Sequence, residues 1–102
     1  MNTKKFYGDA EIEREFGRLT FGDALAAWRK CEGHTVRSFA KILGITASTL
    51  SDLESGRRIP STARAAAIAK KIKHPPAVWV IFAINDDLNK KKIKLRVTNE
   101  AA

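Results

Sequence analysis

Apolar residues recur at helical spacing through most of the chain, beginning at Phe21, Leu25 and Trp28, which stand at i, i+4 and i+7. Thr20 precedes this run as a cap, with Asp23 three residues on as an imperfect capping box, and Gly33 stops it. A second helix, capped by Thr35, lines up Val36, Phe39, Ala40 and Leu43 before Gly44 frees the backbone for a tight turn. Ile45 alone separates that glycine from the next cap, Thr46. A third helix then runs from Ala47 to about Ser55 and stops at Gly56, with Leu50 and Leu53 inward. Pro60-Ser61 opens a fourth, whose inner line is Ala65, Ile68, Ala69 and Ile72. Pro75-Pro76 starts a fifth, which continues to about Lys90 and is apolar on every side from Ala77 to Ile84. Ile93, Leu95 and Val97 then alternate with Lys94, Arg96 and Thr98, the period-2 mark of a half-buried strand.

This pattern predicts an all-α domain of five helices over residues 20–90, preceded by a loosely held arm over 1–19 and followed by a strand and tail over 91–102. One short helix is expected inside the arm, between Asp9 and Gly17. At 102 residues the chain is long enough for one compact core and too short for a second. The uncharged stretch from Ala77 to Ile84 falls well short of the roughly 20 residues needed to cross a bilayer. The charged N-terminus does not read as a signal peptide, so a soluble, cytoplasmic protein is expected.

Charge sharpens the picture. The net charge is +8, and residues 1–34 balance at six basic and six acidic groups. Residues 35–102 hold thirteen basic and five acidic groups, so the whole excess lies there and creates a positive potential suited to phosphate. Catalytic chemistry finds little footing. Cys31 is the sole cysteine, which excludes an intramolecular disulfide or a multi-cysteine zinc site, and His34 and His74 lie far apart in the chain. There is no glycine-rich phosphate loop, no paired carboxylates in a plausible cleft and no histidine-based triad. No catalytic, cofactor or metal residue is therefore expected.

The segment from Thr35 to Pro60 is the informative one. Two short capped helices joined through a single glycine corner must cross steeply, which leaves the second projecting. At 100° per residue, turning Leu50 and Leu53 inward puts Ser48, Ser51, Asp52 and Ser55 outside, with Ala47 and Thr49 beside the helix start. Such a small, polar face fits the major groove: its hydroxyls can bond base edges or phosphates, Asp52 can accept from a cytosine amino group, and Ala47 or the Thr49 methyl can meet a thymine methyl. Arg37, Lys41, Arg57 and Arg58 surround it, and the positive end of the helix adds to their field.

Ala40, Gly44, Ile45, Ser48, Leu50, Leu53, Glu54, Gly56, Arg57 and Pro60, set in a five-helix frame, resemble the helix-turn-helix domains of the phage-repressor and Cro family, also called the XRE or lambda-repressor-like family. The resemblance covers roughly Phe21 to Lys90. It implies that Ala47, Ser48, Thr49, Ser51 and Asp52 face bases of double-stranded DNA. It also implies that the start of the second helix and the loop after Gly56 grip phosphate, giving Thr35, Arg37, Lys41, Thr46, Ser55, Arg57 and Arg58 as the phosphate set. Glu54 is usually structural in this family and is not assigned to DNA. The family often places glutamine where Val36 stands and a long polar residue near Ala47. Here both positions are apolar, so sequence choice shifts partly to Arg37, Arg57 and DNA shape.

A fifth helix that is apolar all round needs a second covering surface, and a lone strand leaves its backbone unpaired. Both point to a homodimer seam through Trp79, Phe82 and Ala83 with Ile93, Leu95 and Val97. A two-fold pair would meet half-sites about 34 Å apart in a palindromic operator. The functional expectation is a dimeric transcriptional repressor. Its rival is an antitoxin that masks a toxin protein and represses its own operon, a reading kept alive by the small size and by a similarity in layout to HigA-type antitoxins.

Overall fold

The computed structural model describes residues 19–93 and residue 97. Among the described residues five helices follow one another: α1 (Phe21–Cys31), α2 (Val36–Leu43), α3 (Ala47–Ser55), α4 (Thr62–Lys71) and α5 (Pro76–Lys90). Four begin at a hydroxyl cap. Thr20, Thr35, Thr46 and Ser61 each accept a hydrogen bond from the backbone N–H three residues on, satisfying a donor that the first helical turn leaves free. At α2 the box is closed by Ser38, whose hydroxyl accepts from the Thr35 N–H in return. The fifth helix has Pro75 at its cap and Pro76 in its first turn, with no side-chain cap, and proline's missing N–H costs nothing there.

The core is built from one stripe of each helix. Phe21, Leu25, Phe39, Leu50 and Leu53 are its largest fully buried side chains, and Ala65 and Ala69 of α4 are buried with them. Those alanines let α5 approach, and α4 and α5 share the most extensive contact in the fold. Trp79 lies edge-on to Phe21, with ring centroids 5.5 Å apart, and edge-on to Phe82 at 5.7 Å. Its indole N–H donates to His74 Nδ1 at 3.2 Å.

Two expectations need correction. Trp79 and Ala83 are 3% and 2% exposed within the single chain, so they belong to its own core and are not available as an outer dimer seam. The strand is absent among the described residues. α5 gives way to a turn in which Lys92 takes a φ of 60°. At Val97 both backbone polar groups are held by one side chain: Asn85 Nδ2 donates to the Val97 carbonyl at 2.8 Å, and the Val97 N–H donates to Asn85 Oδ1 at 2.7 Å. An amide side chain thus occupies the place a neighbouring strand would take. Leu95, the expected helix between Asp9 and Gly17 and nearly all of the arm fall outside the described residues.

Candidate nucleic-acid interface

The corner between α2 and α3 is made by Gly44, whose φ of 74° lies in the left-handed region, where a side chain would strain the backbone. The Ile45 N–H then returns to the Ala40 carbonyl at 3.0 Å, which closes the end of α2 and aims the chain into α3. Ala40 is buried against the core and Ile45 packs partly buried onto it, so the corner is anchored from within. A second left-handed glycine, Gly56 with φ 84°, ends α3. There the Arg58 N–H donates to the Asp52 carbonyl at 3.2 Å. This turn folds the loop back along the helix and brings the Arg57 side chain to its outer face.

The orientation of α3 is locked from behind. Arg29 of α1 grips Glu54 with two N–H groups, Nε to Oε2 at 2.8 Å and Nη2 to Oε1 at 3.1 Å, while its Nη1 donates to the His34 carbonyl at 3.0 Å. Both side chains are nearly buried, at 13% and 11% exposure. Hydrogen bonding to the Glu54 carboxylate outweighs partial burial and pushes the Arg29 pKa upward, so the guanidinium stays charged. One cation therefore ties α1, the α1–α2 loop and α3 together. Gly22 sets the distance between the helices, because a Cβ there would run into the Leu53 and Glu54 carbonyl oxygens, the latter at 2.7 Å.

The outward face of α3 carries the residues expected there. Ala47, Ser48, Ser51 and Ser55 are exposed, and Thr49 and Asp52 are half-buried. Their hydroxyls are not equivalent. Thr46 accepts from the Thr49 N–H and donates to the Thr49 hydroxyl at 2.9 Å. Ser55 donates back to the Asp52 carbonyl and accepts from the Arg57 N–H, and Thr35 is engaged with Ser38. Among the described residues, the hydroxyls of Ser48 and Ser51 have no protein partner. Asp52 is engaged too: Arg57 Nε and Nη2 both lie on its Oδ1, at 3.0 and 2.9 Å. Arg37, Lys41 and Arg58 are exposed and carry no ion pair among the described residues.

The exposure of the α3 face agrees with the helical spacing, whereas three contacts around that face are not anticipated by it. The sequence pattern singles out neither Arg29 nor Gly22, and it gives Asp52 and Arg57 separate partners. The spacing of Asp52 and Arg57, five residues apart across a helix-ending glycine, was the available signal for their pairing.

Two helices crossing at a glycine corner, the second projecting and locked from behind, define a helix-turn-helix protein. The helix-turn-helix family matches residues 25–79, more than half of the chain, and the chain belongs to that family, in its XRE branch. An uncharacterized HTH-type transcriptional regulator, YazB of Bacillus subtilis (strain 168), is 46% identical to it over 43 residues, which are 42% of this chain and 62% of that relative. The chain thus spans less than two thirds of the length of the curated relative it matches. No solved structure gives a significant match. No helix among the described residues is long and apolar enough to cross a membrane.

Proposed function

We propose that the protein is a sequence-specific DNA-binding regulator of transcription that seats α3 in the major groove. The observation that carries this reading is the exposed pair Ser48 and Ser51 on α3, whose hydroxyls have no protein partner among the described residues, on a domain that also exposes the cations Arg37, Lys41 and Arg58. Ala47 and Thr49 flank the helix start and offer methyl groups to thymine, while the two serines offer hydroxyls to base edges. Thr35, Arg37, Lys41, Thr46, Ser55 and Arg58 make up the phosphate rim, which fixes register without reading sequence. The similarity to a chain described as a transcriptional regulator supports the same conclusion.

The test is selection from a pool of duplexes with a randomised centre, followed by titration of the winner against salt. A defined consensus is expected, with Ser48→Ala relaxing one position of it. Arg58→Ala is expected to lower affinity for all sequences and to flatten the log–log salt dependence by about 0.9, the contribution of one phosphate contact. Failure to enrich any sequence refutes the proposal. We extend it to a two-fold dimer acting as a repressor on a palindromic site, since one copy presents a single α3. In the antitoxin alternative a second small protein would co-purify with the chain.

A further inference from the structure

Asp52 and Arg57 stand on the reading face, yet neither is free to act as it would alone. A bare carboxylate facing DNA is repelled by phosphate, and a bare guanidinium is drawn to phosphate. Here the two neutralise each other through Asp52 Oδ1, which accepts from Nε and Nη2 of Arg57 at 3.0 and 2.9 Å. Guanidinium has a side edge, carrying Nε and one Nη, and an end edge, carrying both Nη groups. The carboxylate takes the side edge. The end edge, with the parallel donors that match the O6 and N7 acceptors of guanine, is left clear of the carboxylate on a side chain that is 66% exposed. Gly56 and the Arg58-to-Asp52 backbone bond hold the loop so that this arrangement lies along α3.

We propose that Asp52 is a positioning residue and that Arg57, oriented by it, reads a guanine in the major groove. The inference rests on α3 entering that groove. It assigns sequence choice to a face whose helical residues include no arginine, asparagine or glutamine, and it removes Arg57 from the phosphate rim. Because the pair is neutral, Arg57 releases few counterions. Its signature is discrimination between bases, not salt dependence, and a bidentate arginine–guanine contact gives roughly 5- to 150-fold discrimination against the wrong base.

The experiment repeats the randomised selection and salt titration with the full chain, comparing wild type with Asp52→Ala, Asp52→Asn and the double variant Asp52→Ala/Arg57→Ala. Thermal melts confirm that these surface variants fold. The wild type is expected to select guanine at one position. Asp52→Ala should weaken that preference and steepen the salt dependence by about 0.9, because a released Arg57 seeks phosphate. Asp52→Asn, which keeps an acceptor oxygen for Arg57, should restore part of the preference. The double variant should lose the guanine preference with its salt dependence unchanged from wild type. Three results would overturn the inference: a guanine preference that survives in the double variant, one that survives at full strength in Asp52→Ala, or a double variant whose salt dependence flattens by a full phosphate contact. In each of them the wild type still selects a consensus, which separates this failure from failure of the groove-binding reading itself.

Discussion

Gly22 is the residue that lets α1 approach α3 closely. It lies where α1 meets the C-terminal end of α3, and alanine there would press a methyl group into the Leu53 and Glu54 carbonyls, which are backbone atoms and cannot swing aside. Gly22→Ala is therefore expected to destabilise the fold by about 1–3 kcal/mol, the usual range for overpacking, even though alanine is the better helix former. Chemical denaturation measures this, and an unchanged midpoint would mean that the helices separate freely. Glu54 is the second fixed point. Removing it strands the nearly buried Arg29 charge, so Glu54→Ala should cost roughly 3 kcal/mol, the lower end for breaking a buried pair, since each partner keeps about a tenth of its surface in water. The structural role that family resemblance implied for Glu54 acquires its cause here. Its partner was illegible because an arginine in the last turn of a helix already has a local explanation in the helix dipole. Gly22 was illegible because close approach between elements distant in sequence leaves no periodic trace.

At the level of elements, the caps were readable because they are local: Thr20, Thr35, Thr46 and Ser61 each sit one residue before a helix and bond within it. What held one element to another was not. The alternation of Ile93, Leu95 and Val97 records which way side chains face and not what the backbone pairs with, and at Val97 the partner is the Asn85 amide. The start of α1 shows the same division. Besides the Thr20 cap, the Phe21 N–H donates to Asp86 Oδ2 of α5 at 2.8 Å. Burial pushes the Asp86 carboxyl pKa upward, the Phe21 N–H pulls it partly back, and Asp23 adds repulsion. A carboxyl whose pKa is raised by folding favours the fold most when protonated, below the ordinary Asp value near 3.9. That stabilisation is lost as pH rises through the raised value. Asp86→Asn keeps an oxygen for Phe21 and removes the buried charge, so at pH 7 the variant should melt at or above the wild-type temperature. As pH falls below the ordinary aspartate range, the wild type should gain on the variant, and a difference in melting temperature that stays constant with pH would contradict this reading.

For the whole molecule, the proposed two-fold pair requires an apolar surface that the single chain leaves uncovered. The sequence of α5 is apolar on every side from Ala77 to Ile84, but composition does not say which side the chain itself covers. Trp79 and Ala83 are covered, so Trp79→Glu would attack the core and report on folding, not assembly. Turning Trp79 inward at 100° per residue leaves Val78 and Ile81 on a different strip; Val78 is 39% exposed and Ile81 is half-buried. Ile93, 46% exposed just past the end of α5, adds a further apolar side chain in water. We place the seam of the proposed two-fold pair on this strip, where burying a single valine or isoleucine side chain contributes about 1.5–3 kcal/mol. Val78→Glu places a charge on this exposed strip without touching the core. Sedimentation should then show wild type at twice the chain mass and Val78→Glu at the chain mass, with helical circular dichroism the same for both. A wild type that sediments at the chain mass across the concentration range would remove the dimer from the proposed function, and the palindromic operator with it, while leaving the single projecting α3 as the reading element.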